Sequence, residues 1–97
     1  MATSVEEISI DYEEDGVQLV KELDKAVLTK GAWTTLMFKY QEWDPKIEDY
    51  GPHRFTIRRY RKKDGVYRQQ SKFNISSREQ AEKVVAVLNR WLEEPAG

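Results

Sequence analysis

Residues 54–75 read Arg-Phe-Thr-Ile-Arg-Arg-Tyr-Arg-Lys-Lys-Asp-Gly-Val-Tyr-Arg-Gln-Gln-Ser-Lys-Phe-Asn-Ile, two strand-like runs joined at Lys63-Asp64-Gly65. Asp-Gly between such runs is a strong hairpin signal, because the favoured two-residue turn needs positive φ at both central positions. Pairing the runs brings Phe55 and Ile57 opposite Phe73 and Ile75, and leaves basic and polar residues near the turn. The base of this hairpin is therefore expected to pack on a core, with its tip in solvent.

Residues 32–43, Ala-Trp-Thr-Thr-Leu-Met-Phe-Lys-Tyr-Gln-Glu-Trp, are aromatic and β-branched and form the clearest strand. One face carries Thr34, Leu36, Phe38 and Tyr40, the other Trp33, Thr35, Met37, Lys39, Gln41 and Trp43. Such a strand spans roughly 37–40 Å, about twice the usual length, so it is expected to run past the core as an arm. Asp44-Pro45 and Gly51-Pro52 bracket a loop at 44–53. Residues 17–29 admit two readings: Val20, Leu23 and Val27 suit a helix face, Val17 and Leu19 a strand. A four-stranded sheet needs a first strand here, which favours the strand. Ile8, Ile10 and Tyr12 alternate with polar residues before Glu13-Glu14-Asp15-Gly16 breaks the pattern. Residues 1–14 are accordingly expected to be an acidic tail or short strand, and 15–94 a single domain.

Downstream, Ser76 with Glu79 or Ser77 with Gln80 has capping-box spacing. Ala81, Val84, Val85, Leu88 and Leu92 recur at helical spacing as one apolar stripe, with Trp91 just beside it. The expected architecture is α+β: a four-stranded antiparallel curved sheet followed by a C-terminal amphipathic helix, ββββα.

At 97 residues the chain suits one domain with a modest core. It has no cysteine, which excludes disulfides and thiolate metal sites and makes a reducing cytoplasm the expected location, with nucleoid association open. No apolar run approaches the ~20 residues of a membrane span. Met1-Ala2-Thr3-Ser4-Val5-Glu6-Glu7 has neither the basic start nor the apolar run of a secretory signal. No membrane partner is expected.

The net charge of −1 conceals a strong segregation. Residues 1–25 hold eight acids and two bases, a net of −6, whereas residues 54–78 hold nine bases and one acid, Asp64, a net of +8. Such asymmetry bears on partners.

Enzyme chemistry finds little support. His53 is the only imidazole, the glycines are scattered singly, and the acidic N-terminus lacks the spacing of a calcium loop. An enzyme would need an unseen pocket gathering acids such as Asp44, Glu48 and Asp49. No catalytic residue, metal, cofactor or small-molecule substrate is expected.

The basic hairpin is the strongest functional signal. Arg54, Arg58, Arg59, Arg61, Lys62, Lys63, Arg68 and Lys72 fall on its two strands, interleaved with Tyr60 and Tyr67. Alternation places Arg59 and Arg61 on one face, Arg58 and Lys62 on the other. Cationic side chains neutralise phosphates and release counterions, and aromatic faces stack on unpaired bases. The competing reading is a solvated hairpin whose charge protects a sheet edge, or which pairs with the acidic N-terminus within one chain or across a dimer. Trp33 and Trp43 fit a core or dimer interface, Trp43 being the better candidate for an exposed stacking residue.

The order of elements resembles the single-stranded-DNA-binding transcriptional regulator fold of the positive-cofactor-four coactivators and the Whirly proteins. Lys72-Phe73-Asn74-Ile75-Ser76 followed by Glu79-Gln80 is similar to that family's last strand and helix start. Tyr40-Gln41-Glu42-Trp43-Asp44-Pro45 is similar to its aromatic strand end before a Pro-containing loop. Phe73-Asn74 stands where the family tends to have glycine. The resemblance implies a homodimer packed through helices and sheet, with single-stranded DNA crossing curved ribbons. It implies Lys39, Arg58, Arg59, Arg61, Arg68 and Lys72 as phosphate contacts, and Tyr60, Tyr67 and Trp43 as base contacts; the hairpin's charge adds Lys62 and Lys63. The expected function is binding of nucleic acid, single-stranded DNA before RNA or duplex, with low sequence specificity and a transcription-cofactor-like role. The alternative is a protein-interaction or self-association module that docks the hairpin on acidic surfaces.

Overall fold

A computed structural model describes residues 1–95. Its elements are β1 (Tyr12–Glu14), β2 (Val17–Thr29), β3 (Trp33–Asp44), β4 (Asp49–Tyr50), β5 (Arg54–Lys63), β6 (Val66–Ile75) and α1 (Arg78–Glu93), with a short 3-10 turn at Val5–Glu7 ahead of them. The class is α+β: one curled antiparallel sheet and one C-terminal helix. The sheet has six strands, ordered β1-β2-β3-β5-β6 with β4 added to the end of β3, so the expected four is an undercount. The additions are short strands. Asp15-Gly16, with φ of 51 and 79, turns β1 back along β2, and residues 49–50 fold back on Trp43 and Asp44. Asp64 and Gly65, with φ of 53 and 77, make the same left-handed turn at the β5–β6 hairpin.

β3 is not a free arm. It pairs with β2 on one side and with β5 on the other, from Trp33↔Arg61 to Tyr40↔Arg54. Its length reflects a central position, where both edges are satisfied. Its alternation is clean: Thr34, Leu36, Phe38 and Tyr40 are buried, and the intervening residues are not.

The N-terminal segment covers the buried face. Val5, Ile8 and Ile10 join Leu36, Phe38, Tyr40 and Tyr60 in one apolar cluster. Burying each such aliphatic side chain contributes about 1.5–3 kcal/mol, so the segment is part of the core. It crosses the sheet from β6, where the Tyr67 N–H donates to the Ala2 carbonyl at 2.9 Å, to β2. On β2 the Lys25 ammonium donates to the carbonyls of Val5 (2.7 Å), Glu6 (3.2 Å) and Ile8 (2.7 Å). These carbonyls lie around the end of a 3-10 turn, where the Val5 carbonyl also accepts the Ile8 N–H at 3.2 Å, and a cation suits them. The Glu22 carboxylate accepts from Ser9 Oγ (3.0 Å) and the Ile10 N–H (3.2 Å).

α1 begins as the sequence reads, with Ser77 Oγ accepting from the Gln80 N–H at 3.1 Å and Gln80 Oε1 accepting from the Ser76 N–H at 2.9 Å. It then leaves the sheet: no residue of α1 is buried.

Candidate nucleic-acid interface

Strand pairing decides which hairpin side chains share a face. Thr56 and Tyr60 lie under the N-terminal segment with the buried residues of β3. Phe55, Ile57, Arg59 and Arg61 therefore point the other way, to the open face. On β3 that face carries Trp33 opposite Arg61 and Thr35 opposite Arg59. On β6, Phe73 stands opposite Ile57 and Ser71 opposite Arg59. A bulge then intervenes, for Tyr60 pairs with Gln69 and Gln70 is the extra residue. The bulge reverses the alternation of β6. Arg68 comes to stand opposite Arg61 on the open face, and Tyr67 opposite Lys62 on the covered face.

The open face thus divides in two. Toward the turn lie Arg59, Arg61, Arg68 and Trp33; toward α1 lie Met37, Ile57, Phe55 and Phe73. The Arg59 guanidinium sits over the Trp33 ring at 4.3 Å from its centroid and that of Arg61 at 5.2 Å. Guanidinium–indole stacking contributes about 0.5–1 kcal/mol at exposed sites and leaves the in-plane N–H donors free. Among the described residues, Arg59, Arg61, Lys62, Lys63, Arg68 and Lys72 form no ion pair and donate no side-chain hydrogen bond. The acids of the N-terminal segment are engaged elsewhere: Glu6 with Lys30 at 3.4 Å, Glu7 with the Thr3 and Ser4 hydroxyls, Asp11 with Gln18.

The tyrosines are placed differently from their expected stacking role. Tyr60 is 7% exposed, inside the core, and its phenol is pushed above the ordinary tyrosine range by burial. Tyr67 is half-buried beside it, with its hydroxyl donating to the Gly31 carbonyl at 3.1 Å and the Lys62 ammonium over its ring at 5.5 Å. The hairpin tip, residues 61–65, is exposed, and the Lys62 N–H donating to the Ala32 carbonyl at 2.7 Å ties its root to the start of β3. The hairpin base follows expectation in part: Ile75, opposite Phe55, is buried at 3% and Phe55 and Ile57 are partly buried, whereas Phe73, opposite Ile57, is 55% exposed.

The remaining site residues lie apart. Arg58 and Lys72 oppose each other on the covered side, Arg58 donating to Gln69 Oε1 at 3.0 Å. Lys39 is opposite Phe55, and Trp43 lies near the far end of β3, about 33 Å from Trp33 at ordinary strand rise. Trp43 is half-buried and stacks edge-on with Tyr50, centroids 5.2 Å apart, in the small hairpin of β3 and β4. Trp33 is the aromatic that the sequence reading passed over for this role. Its signal was register: aligning β3 against β5 sets it opposite Arg61.

Asp44 and Asp49 accept backbone N–H bonds from Lys46 (3.0 Å) and Tyr50 (2.7 Å) in the β3–β4 turn. Among the described residues no group of three or more His, Asp or Glu side chains is placed to hold a metal, and no helix is long and apolar enough to cross a membrane. No family model, curated protein or solved structure matches the chain.

Proposed function

We propose that the protein binds single-stranded nucleic acid, DNA in preference to RNA or duplex, on the basic half of the open sheet face. The observation that carries this reading is the set of uncompensated cations, with Arg59 and Arg61 aligned on Trp33 and Arg68 facing Arg61. Backbone phosphates supply the anion these donors lack, and their recognition carries little sequence information. A strand laid across a sheet is favoured over a duplex groove, because β5 is paired to β3 as far as Arg61 and only the short tip beyond it projects. A ribbon must stand clear of its sheet to enter a major groove. Trp33, 40% exposed, is the surface on which an unpaired base can stack. A cytoplasmic location and a transcription-cofactor-like role are consistent with the cysteine-free composition and with non-catalytic binding.

The competing reading, a hairpin that docks on acidic protein surfaces, loses its nearest support. The chain's own acidic segment packs on β2 and does not meet the basic face. Fluorescence anisotropy with labelled single-stranded DNA, RNA and duplex, titrated at several salt concentrations, tests the proposal. Tightest binding to single-stranded DNA, weakening steeply with salt, is expected; no binding at low salt, or equal binding to all three forms, would refute it.

A further inference from the structure

The guanidiniums of the open face are bunched at one place instead of being strung along it. Arg61 on β5 and Arg68 on β6 stand directly opposite each other, and Arg59 is the next open-face residue of β5. Directly opposed side chains have Cβ atoms about 4.5–5.5 Å apart, so Arg61 and Arg68 can reach the same ligand group. Arg59 joins them through Trp33, whose ring carries the guanidiniums of both Arg59 and Arg61. Among the described residues none of the three arginines is in an ion pair. The cluster has two different sides. Toward the turn, Lys63 continues the positive charge along β5. Toward α1 the charge on the hairpin stops, because the next open-face residues are Ile57 and Phe55 on β5 and Ser71 and Phe73 on β6.

We propose that Arg59, Arg61 and Arg68 hold the terminal phosphomonoester of a single strand, with its end base on Trp33 and its backbone leaving past Lys63 over the turn. The inference rests on the single-strand reading of this face and adds which part of the strand is preferred, an end over the interior. Charge separates the two. A phosphomonoester carries about −1.5 to −2 at pH 7, whereas an internal diester carries a single negative charge, so the end group is the better match to three clustered cations. Acceptor geometry separates them as well. A monoester presents three terminal oxygens, one for each guanidinium fork, and a diester presents only two. The boundary at Ile57 makes the same distinction. A strand interior continues in both directions, and one of them would lay diesters over Ile57, Phe55 and Phe73, where a charge loses water and gains no partner. A strand that ends at the arginines needs cations on one side only, and Lys63 is on that side.

Anisotropy with one oligothymidylate in 5′-phosphorylated, 3′-phosphorylated and hydroxyl-ended forms, each labelled at the end away from the phosphate, tests the assignment. Circular single-stranded DNA and thymidine monophosphate serve as unlabelled competitors. One phosphorylated form is expected to bind about tenfold tighter or more than its hydroxyl-ended control. That margin should shrink as the pH is lowered through about 6, where the monoester takes up its second proton. Arg68→Gln should remove most of the margin. Equal binding of all linear forms, or a circle that competes as well as the phosphorylated strand, overturns the end assignment and leaves single-strand binding standing. A margin that Arg68→Gln leaves intact overturns the assignment to these arginines. Thymidine monophosphate competing as well as the phosphorylated strand overturns it too, since the ligand is then a free nucleotide. No binding of any form at low salt overturns both the end assignment and the single-strand reading beneath it.

Discussion

Arg61 and Arg68 stand directly opposite each other across the β5–β6 hairpin, on the face that also carries Trp33. Like charges in directly opposed positions destabilise a strand pair. The hairpin carries this conflict where an anionic ligand would relieve it. Replacing Arg68 by Gln is therefore expected to raise the urea midpoint slightly while weakening oligonucleotide binding. Equilibrium denaturation and anisotropy on the same sample check the opposite signs.

Trp33 and Tyr60 are expected to separate binding from stability. Trp33→Ala removes an exposed ring that aligns two guanidiniums, so affinity should fall, by up to roughly 1–3 kcal/mol if a base stacks there, with little loss of stability. Tyr60→Ala opens a cavity in the core and should cost about 3–5 kcal/mol of folding free energy. Denaturant titration and anisotropy of the two variants distinguish these outcomes.

The N-terminal segment should behave as core. Deleting residues 1–10 strips Val5, Ile8 and Ile10 from the cluster, and loss of the folded state is expected rather than tighter binding. Lys25→Met keeps the aliphatic stem but leaves three carbonyls without their cation, and should cost about 1.5–3 kcal/mol. Circular dichroism during urea unfolding reads both effects.

Alkaline pH should weaken the fold through Tyr40 and Tyr60. Desolvation raises both phenols above the ordinary value of 10.0, so the folded state holds its protons after the unfolded chain has lost them. Their contribution is complete below that value and declines as pH rises above it. Stability should fall more steeply above pH 10 in the native protein than in a Tyr40→Phe, Tyr60→Phe variant, as measured by urea midpoints across that range.

Most of the fold was legible because its signals are local. The alternation of Thr34, Leu36, Phe38 and Tyr40 separated the two faces of β3, Asp64-Gly65 marked the hairpin, and Ser76 or Ser77 the helix start, of which the structure uses Ser77. Asp15-Gly16 is the same turn dipeptide, but its first strand is only Tyr12–Glu14, too short to show a period. The packing of Val5, Ile8 and Ile10 depends on a surface formed by distant strands, which no local pattern reports. The cations of the site were legible as charge, and alternation along β5 separated Arg59 and Arg61 from Arg58 and Lys62, but their grouping with the residues of β6 was not legible. One extra residue, Gln70, decides that Arg68 joins Arg59 and Arg61 and that Tyr67 does not. Tyr60 suits both a stacking platform and a core, because its ring is apolar and its hydroxyl polar; only burial separates the two.

The two faces of the hairpin provide the most direct test of the binding proposal. Arg59→Ala, Arg61→Ala and Arg68→Ala together empty the open face, whereas Lys62→Ala and Lys72→Ala empty the covered face of unpaired lysines. Anisotropy with single-stranded DNA across a salt series should show the triple variant losing most of its affinity. Its log–log salt slope should become shallower by about 2, at about 0.7 per lost phosphate contact. The double variant should retain most of its affinity. Equal losses in the two variants, or an unchanged slope in the triple variant, would contradict the assignment of the open face as the nucleic-acid site.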